Sequence, residues 1–126
     1  EILQMPFFDV GSAGYWQRTL GCTRATFGDV GILVLAYTAV SIITRNRNWL
    51  HSPKYWMISI YLLTGLGITV IIEAMATSVP REWGWGWRYS ELMPLVPGTN
   101  IGLVPVLMWI FIPLITLWFA RRQPQP

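Results

Sequence analysis

Residues 101 to 120, "IGLVPVLMWIFIPLITLWFA", run for twenty positions without one charged side chain. A helix needs roughly 20 mostly apolar residues to cross the hydrocarbon of a bilayer, and a helix apolar all round has no face to offer water. Two further stretches of this kind precede it, residues 26 to 44, "TFGDVGILVLAYTAVSIIT", and residues 55 to 77, "YWMISIYLLTGLGITVIIEAMAT". The three take up about half of the 126 residues, too much for the core of a small soluble bundle. Charged residues make up only 12% of the chain, where a soluble domain has about a quarter. The sequence therefore reads as an all-α integral membrane protein with three transmembrane helices.

The expected layout is an interfacial N-terminal segment over 1–25, a three-helix membrane domain over 26–120 and a short tail over 121–126. Within the domain the spans are 26–44, 55–77 and 101–120, with a long loop over 78–100. Charge sets the expected orientation. The short loop "RNRNWLHSPK" carries Arg45, Arg47 and Lys54 with no acid, and the tail carries Arg121 and Arg122, again with none. The other side holds Arg18, Arg24, Arg81 and Arg88 together with all six acids. Basic residues close to span ends stay on the cytoplasmic side. This puts the short loop and C-terminus inside, and the N-terminus and long loop outside. The expected location is a bacterial plasma membrane.

The long loop holds "PREWGWGWRYSELMPLVPG", where Trp83, Trp85, Trp87 and Tyr89 alternate along seven residues. Trp and Tyr concentrate where hydrocarbon meets headgroups. Gly84 and Gly86 argue against a regular helix there, and in an extended segment alternate residues share one side. Arg81, Glu82, Arg88 and Glu91 keep polar atoms in water or in pairs. The expectation is a Trp-rich outer anchor and docking surface rather than a ligand cage. Pro94 and Pro97 then steer the chain into the third span. Pro105 falls in that helix's first turn, where proline is tolerated, whereas Pro113 lies inside it and should kink it or free a carbonyl for a neighbour.

Polar residues near the outer ends of the spans carry the candidate chemistry. Asp29, Glu73 and Asn100 are expected at similar depth, with Arg24 nearby. A carboxyl within the membrane is costly and invites a functional reading. Glu73 and Asp29 are accordingly the candidate acid–base residues. The competing reading pairs Glu73 with Arg24, Arg81 or Arg88 and so fixes a helix against a loop. Tyr37, Tyr61 and Trp109 lie within spans, where their polar atoms need partners and their rings serve packing or contact with a pigment or quinone.

Other classes fail on the residues present. Cys22 and His51 are each the only one of their kind, so this chain alone makes no disulfide and no His/Cys zinc site. No phosphate-binding loop, nucleophile elbow or dinucleotide fingerprint occurs. The net charge of +3 comes from residues at span ends rather than from a basic helix face, so nucleic acid is not an expected partner. No metal or cofactor is evident. A lipid, quinone or pigment could sit where the chain meets a partner.

The stretches "YWQRTLGCTRATFGDVGILVLAY", "EAMAT" and "MPLVPGTNIGLVPVLMWIFIPL" resemble a group of small uncharacterised bacterial polytopic membrane proteins. The resemblance rests on Arg18, Thr23, Arg24, Asp29, Glu73, Pro94, Pro97, Gly102, Pro105 and Trp109. It implies a membrane layout and carries no catalytic role. The leading expectation is a non-catalytic accessory or structural subunit that stabilises a larger, energy-converting membrane complex, with larger membrane subunits and lipids as partners. Contacts would come from Arg24, Asp29, Glu73, Arg81, Trp83, Trp85, Trp87, Arg88, Tyr89, Asn100 and Trp109. Two alternatives differ in class. One is a small membrane enzyme acting on an isoprenoid, carotenoid or lipid through Glu73 and Asp29, and the other is an oligomeric transporter or proton path.

Overall fold

The computed structural model describes residues 2–9, 14–80 and 86–124. Three long helices account for most of them: α1 (Tyr15–Thr44), α2 (Tyr55–Ser78) and α3 (Leu103–Arg121). Each is long and apolar enough to cross a membrane, and together they define a multi-pass membrane protein. At 1.5 Å per residue, the 24 residues of α2 span about 36 Å, so its ends reach beyond a hydrocarbon core of about 30 Å. The 3-10 turns Ile2–Phe7 and Trp49–His51 precede α1 and α2.

α2 and α3 start and stop within two residues of the apolar runs that mark them. α1 does not. It begins at Tyr15, eleven residues ahead of the expected span, and takes in much of the segment assigned to the interface. Inside that extension the hydroxyls of Thr19 and Thr23 donate to the carbonyls four residues back, as does Thr26 where the apolar run starts. Their side-chain polarity is thus met within the helix.

α2 lies between its neighbours and packs on both. Its buried residues, Met57, Tyr61, Gly65, Thr69, Glu73 and Ala76, fall mostly four apart. Those of α3, Pro105, Trp109, Pro113 and Leu117, repeat the same spacing. Rows of this kind seat ridges into grooves. Tyr61 donates its hydroxyl proton to the Pro113 carbonyl at 3.3 Å, and the Trp109 ring lies against Gly65, where an added Cβ would come within 3.1 Å of it. These two contacts fix an antiparallel register, which places Thr69 level with Pro105 and Glu73 beside the start of α3. The neighbour expected to satisfy a carbonyl at the proline is therefore Tyr61, and it bonds the carbonyl of Pro113 itself.

The short-loop end of the bundle is closed by Trp49, 1% exposed. Its ring stacks on Tyr37 at 5.7 Å and meets Tyr61 at the same separation, while its Nε1–H donates to the Tyr37 carbonyl at 3.4 Å. The Tyr37 hydroxyl donates to the Arg47 carbonyl, which ties the loop back to α1. Arg45 ends α1 in the left-handed region at φ 52°, and its N–H reaches back to the Ile42 carbonyl. At the end of α3 the Arg122 guanidinium lies 3.8 Å over the Trp118 ring.

Candidate functional site

The long-loop end is organised around an acid. Glu73 is 6% exposed, on the same four-residue row of α2 as Gly65 and Thr69. Its Oε2 accepts from the Trp87 indole N–H at 3.1 Å and from the Tyr89 hydroxyl. Trp87 and Tyr89 are two apart in a non-helical segment, and alternation turns both rings to the same side. Phe8, from the N-terminal segment, meets the Trp87 ring edge-on at 6.4 Å and the Tyr89 ring at 5.6 Å.

The backbone holds these rings in place. Trp87 N–H donates to the Ala76 carbonyl at 3.1 Å, so the loop folds back over the last turn of α2. Gly86 makes that approach feasible. Its φ is +91°, and a Cβ there would overlap the Ala76 carbonyl oxygen. Asp9 N–H donates to the Arg88 carbonyl at 2.8 Å and Ser90 N–H to the Phe7 carbonyl at 2.9 Å, an antiparallel bridge between chain start and loop. On the far side Tyr89 lies against Gly102, where a Cβ would come within 3.0 Å of the phenol ring and of the Met93 sulfur. Burial pushes the Tyr89 hydroxyl well above the usual tyrosine range, and the hydrogen bond to Glu73 adds to the shift, while the Gly102 backbone N–H pulls the other way.

Arg88 serves the helix end. Its Nη1 donates to the carbonyls of Thr77 at 3.0 Å and Trp87 at 3.1 Å, and its Nη2 to that of Val79. A cation at these last carbonyls satisfies acceptors that a helix leaves open and complements its negative end. Where the sequence points to Arg24, Arg81 or Arg88 as the partner of Glu73, the contacts among the described residues are with the aromatic donors Trp87 and Tyr89, and Arg88 sits on the neighbouring carbonyls.

The remaining described candidates come from different elements of the chain. Asn100 is exposed in the turn that leads into α3. Asp29 is half-buried on α1, and Arg24 is exposed on the same helix. Trp109 is buried against Gly65, well inside the α2–α3 contact. Arg81, Trp83 and Trp85 lie outside the described residues. Among the described residues no three His, Cys, Asp or Glu side chains gather as metal ligands would.

Thr69 is not among the candidates that the sequence offers. Among the described residues, every other Ser or Thr within the three long helices donates to the carbonyl four back, as Thr64, Thr77 and Thr116 do. The Thr69 hydroxyl is buried and makes no hydrogen bond. Its place on the row between Gly65 and Glu73 was the available signal.

Thr77, Ser78, Arg88, Tyr89, Ser90, Glu91, Met93, Leu95 and Asn100 line an open groove of about 500 Å³ beside the acid. Tyr89 forms the wall between groove and Glu73. The fold and this site define a three-span membrane protein whose long loop is anchored on a buried carboxyl. No family model, curated protein or solved structure matches the chain.

Proposed function

We propose that this chain is a non-catalytic accessory subunit that stabilises a larger bacterial membrane complex by presenting α1 to it. The observation that carries the reading is the exposure of α1. Of its 30 residues only Ala36 and Val40 are buried by the rest of the chain. Phe27, Val30, Val34, Leu35, Ile42 and Ile43 lie exposed along it. Gly28 and Gly31 leave open space beside them, and small residues let another helix approach closely in lipid. The tie from Glu73 to Trp87 and Tyr89 supports the same reading, because it uses the buried acid to hold a loop.

The proposed orientation puts the short loop and C-terminus in the cytoplasm, supported by Arg45, Arg47, Lys54, Arg121 and Arg122 at one end. A second reading, a membrane enzyme acting on a lipid or isoprenoid, draws on the groove beside the Tyr89–Glu73 pair. The two separate experimentally. In gentle detergent the subunit comigrates stoichiometrically with larger membrane subunits, and a photocrosslinker at Phe27 or Val34 gives one dominant protein adduct. An isolated monomer of full stability, with adducts to lipid alone, contradicts the subunit reading.

A further inference from the structure

The geometry points to the groove at the long-loop end as a binding site for a zwitterionic phospholipid headgroup bearing a primary ammonium, such as phosphoethanolamine. Three observations converge on it, none of which depends on the accessory-subunit reading.

The first is position. The groove lies where α2 ends at Ser78 and just ahead of the start of α3 at Leu103. The ends of span-length helices mark the depth of the headgroups.

The second is the state of the donors and acceptors. The hydroxyl protons of Thr77, Ser78 and Ser90 are committed to the carbonyls of Glu73, Ala74 and Pro6. Their oxygens therefore have only acceptance left to offer, that of Ser90 already taking the Leu92 N–H at 3.3 Å. An ammonium brings three donors and no acceptor, which is the complement of such a wall. A headgroup whose nitrogen is fully methylated brings no N–H donors at all.

The third is charge. Glu91 is exposed on the groove wall and has no hydrogen bond or ion pair among the described residues. Arg88 stands on the same wall with Nη1 and Nη2 turned to carbonyls, and its Nε–H has no protein acceptor among the described residues. One cation and one anion on a single groove suit a ligand with one phosphate and one ammonium. Arg88 takes the phosphate through Nε–H, and Glu91 takes the ammonium. Met93 and Leu95 supply the apolar wall that a glycerol backbone needs as it leaves the headgroup layer.

The test uses the full chain in detergent, with thermal unfolding and native mass spectrometry as readouts. Phosphatidylethanolamine and phosphatidylglycerol of identical acyl chains are added separately, and soluble phosphoethanolamine is added as a third arm. The expected result is roughly fivefold tighter retention of the ethanolamine lipid over the glycerol lipid, with a matching rise in unfolding temperature. In Glu91→Gln that preference disappears, while the unfolding temperature without lipid is unchanged. Equal retention of the two lipids by the wild-type chain overturns the proposal, as does a preference that survives Glu91→Gln. A response to soluble phosphoethanolamine equal to that of the lipid overturns the membrane source of the ligand.

Discussion

The two ends of α2 are closed by the same means and held by different forces. At one end Trp49 from the short loop fills the gap between helices, stacked on Tyr37 and against Tyr61. At the other, Trp87 and Tyr89 from the long loop turn inward onto Glu73. Trp49 is 1% exposed and uses its indole N–H on a backbone carbonyl, so its hold is mostly shape and buried area. At the Glu73 end the rings are held by a buried carboxyl that accepts from both, and hydrogen bonds to a buried acid offset the high cost of taking it out of water. An apolar stopper tolerates small shifts in its loop. A carboxyl with two aromatic donors sets the place of each ring and with it the path of residues 86–90.

Substitutions can break this contrast. Trp49→Ala should have the largest effect, about 3–5 kcal/mol of lost stability by unfolding in detergent, because a large fully buried ring leaves a cavity. Hydrogen exchange at the long loop should change little in that variant, since among the described residues no hydrogen bond or ring contact runs from Trp49, Tyr37 or Tyr61 to Trp87, Tyr89 or Glu73. Gly102→Val comes next, at about 1–3 kcal/mol. A side chain there meets the Tyr89 ring and the Met93 sulfur and drives the phenol off Glu73. Retained Tyr89–Glu73 contact in that variant, seen as an unchanged ultraviolet titration of Tyr89, would show that the ring has room to spare.

The pH response sharpens the comparison further. The Tyr89 proton is held more tightly in the folded chain than in the unfolded one, chiefly by burial. Its contribution is fully present below the ordinary tyrosine value of about 10 and is lost as pH rises above it. Alkaline unfolding should therefore begin at the long loop, and Tyr89→Phe should flatten the loss. The smallest effect is expected at Thr69, where the hydroxyl is buried without a partner. Thr69→Val keeps the shape and removes the orphan, so the unfolding temperature should rise, by the equivalent of about 1 kcal/mol.

Much of the fold is legible in the residues themselves. Apolar runs locate α2 and α3 because lipid demands them, and their ends coincide with the change to polar or turn-forming residues. The extension of α1 is not legible in the same way. Tyr15 to Ala25 carries Arg18, Gly21 and Arg24 without an apolar period, and its helix meets the Thr19 and Thr23 hydroxyls internally, on the carbonyls four residues back. At the site, Glu73 stands out as an acid inside a span. Its position four and eight residues after Thr69 and Gly65 marks the inward face, and the i, i+2 spacing of Trp87 and Tyr89 puts both rings on one side. Charge complementarity suggests Arg24, Arg81 or Arg88 as the partner instead; Arg81 lies outside the described residues, which leaves Arg88 as the described loop arginine. The structure places that cation on the carbonyls ending α2, which are backbone groups invisible to a search for ion pairs.

Glu73 ties the long loop to α2. Hydrogen exchange at the amides of Trp87 and Ser90 in Glu73→Ala, compared with the wild-type chain, tests it most directly, since these amides bond to Ala76 and Phe7 only while the loop is down. In the variant their protection should fall to that of an open loop while the amides of His51 and Ser52 beside Trp49 stay protected. Wild-type protection at Trp87 and Ser90 without the carboxyl would contradict it.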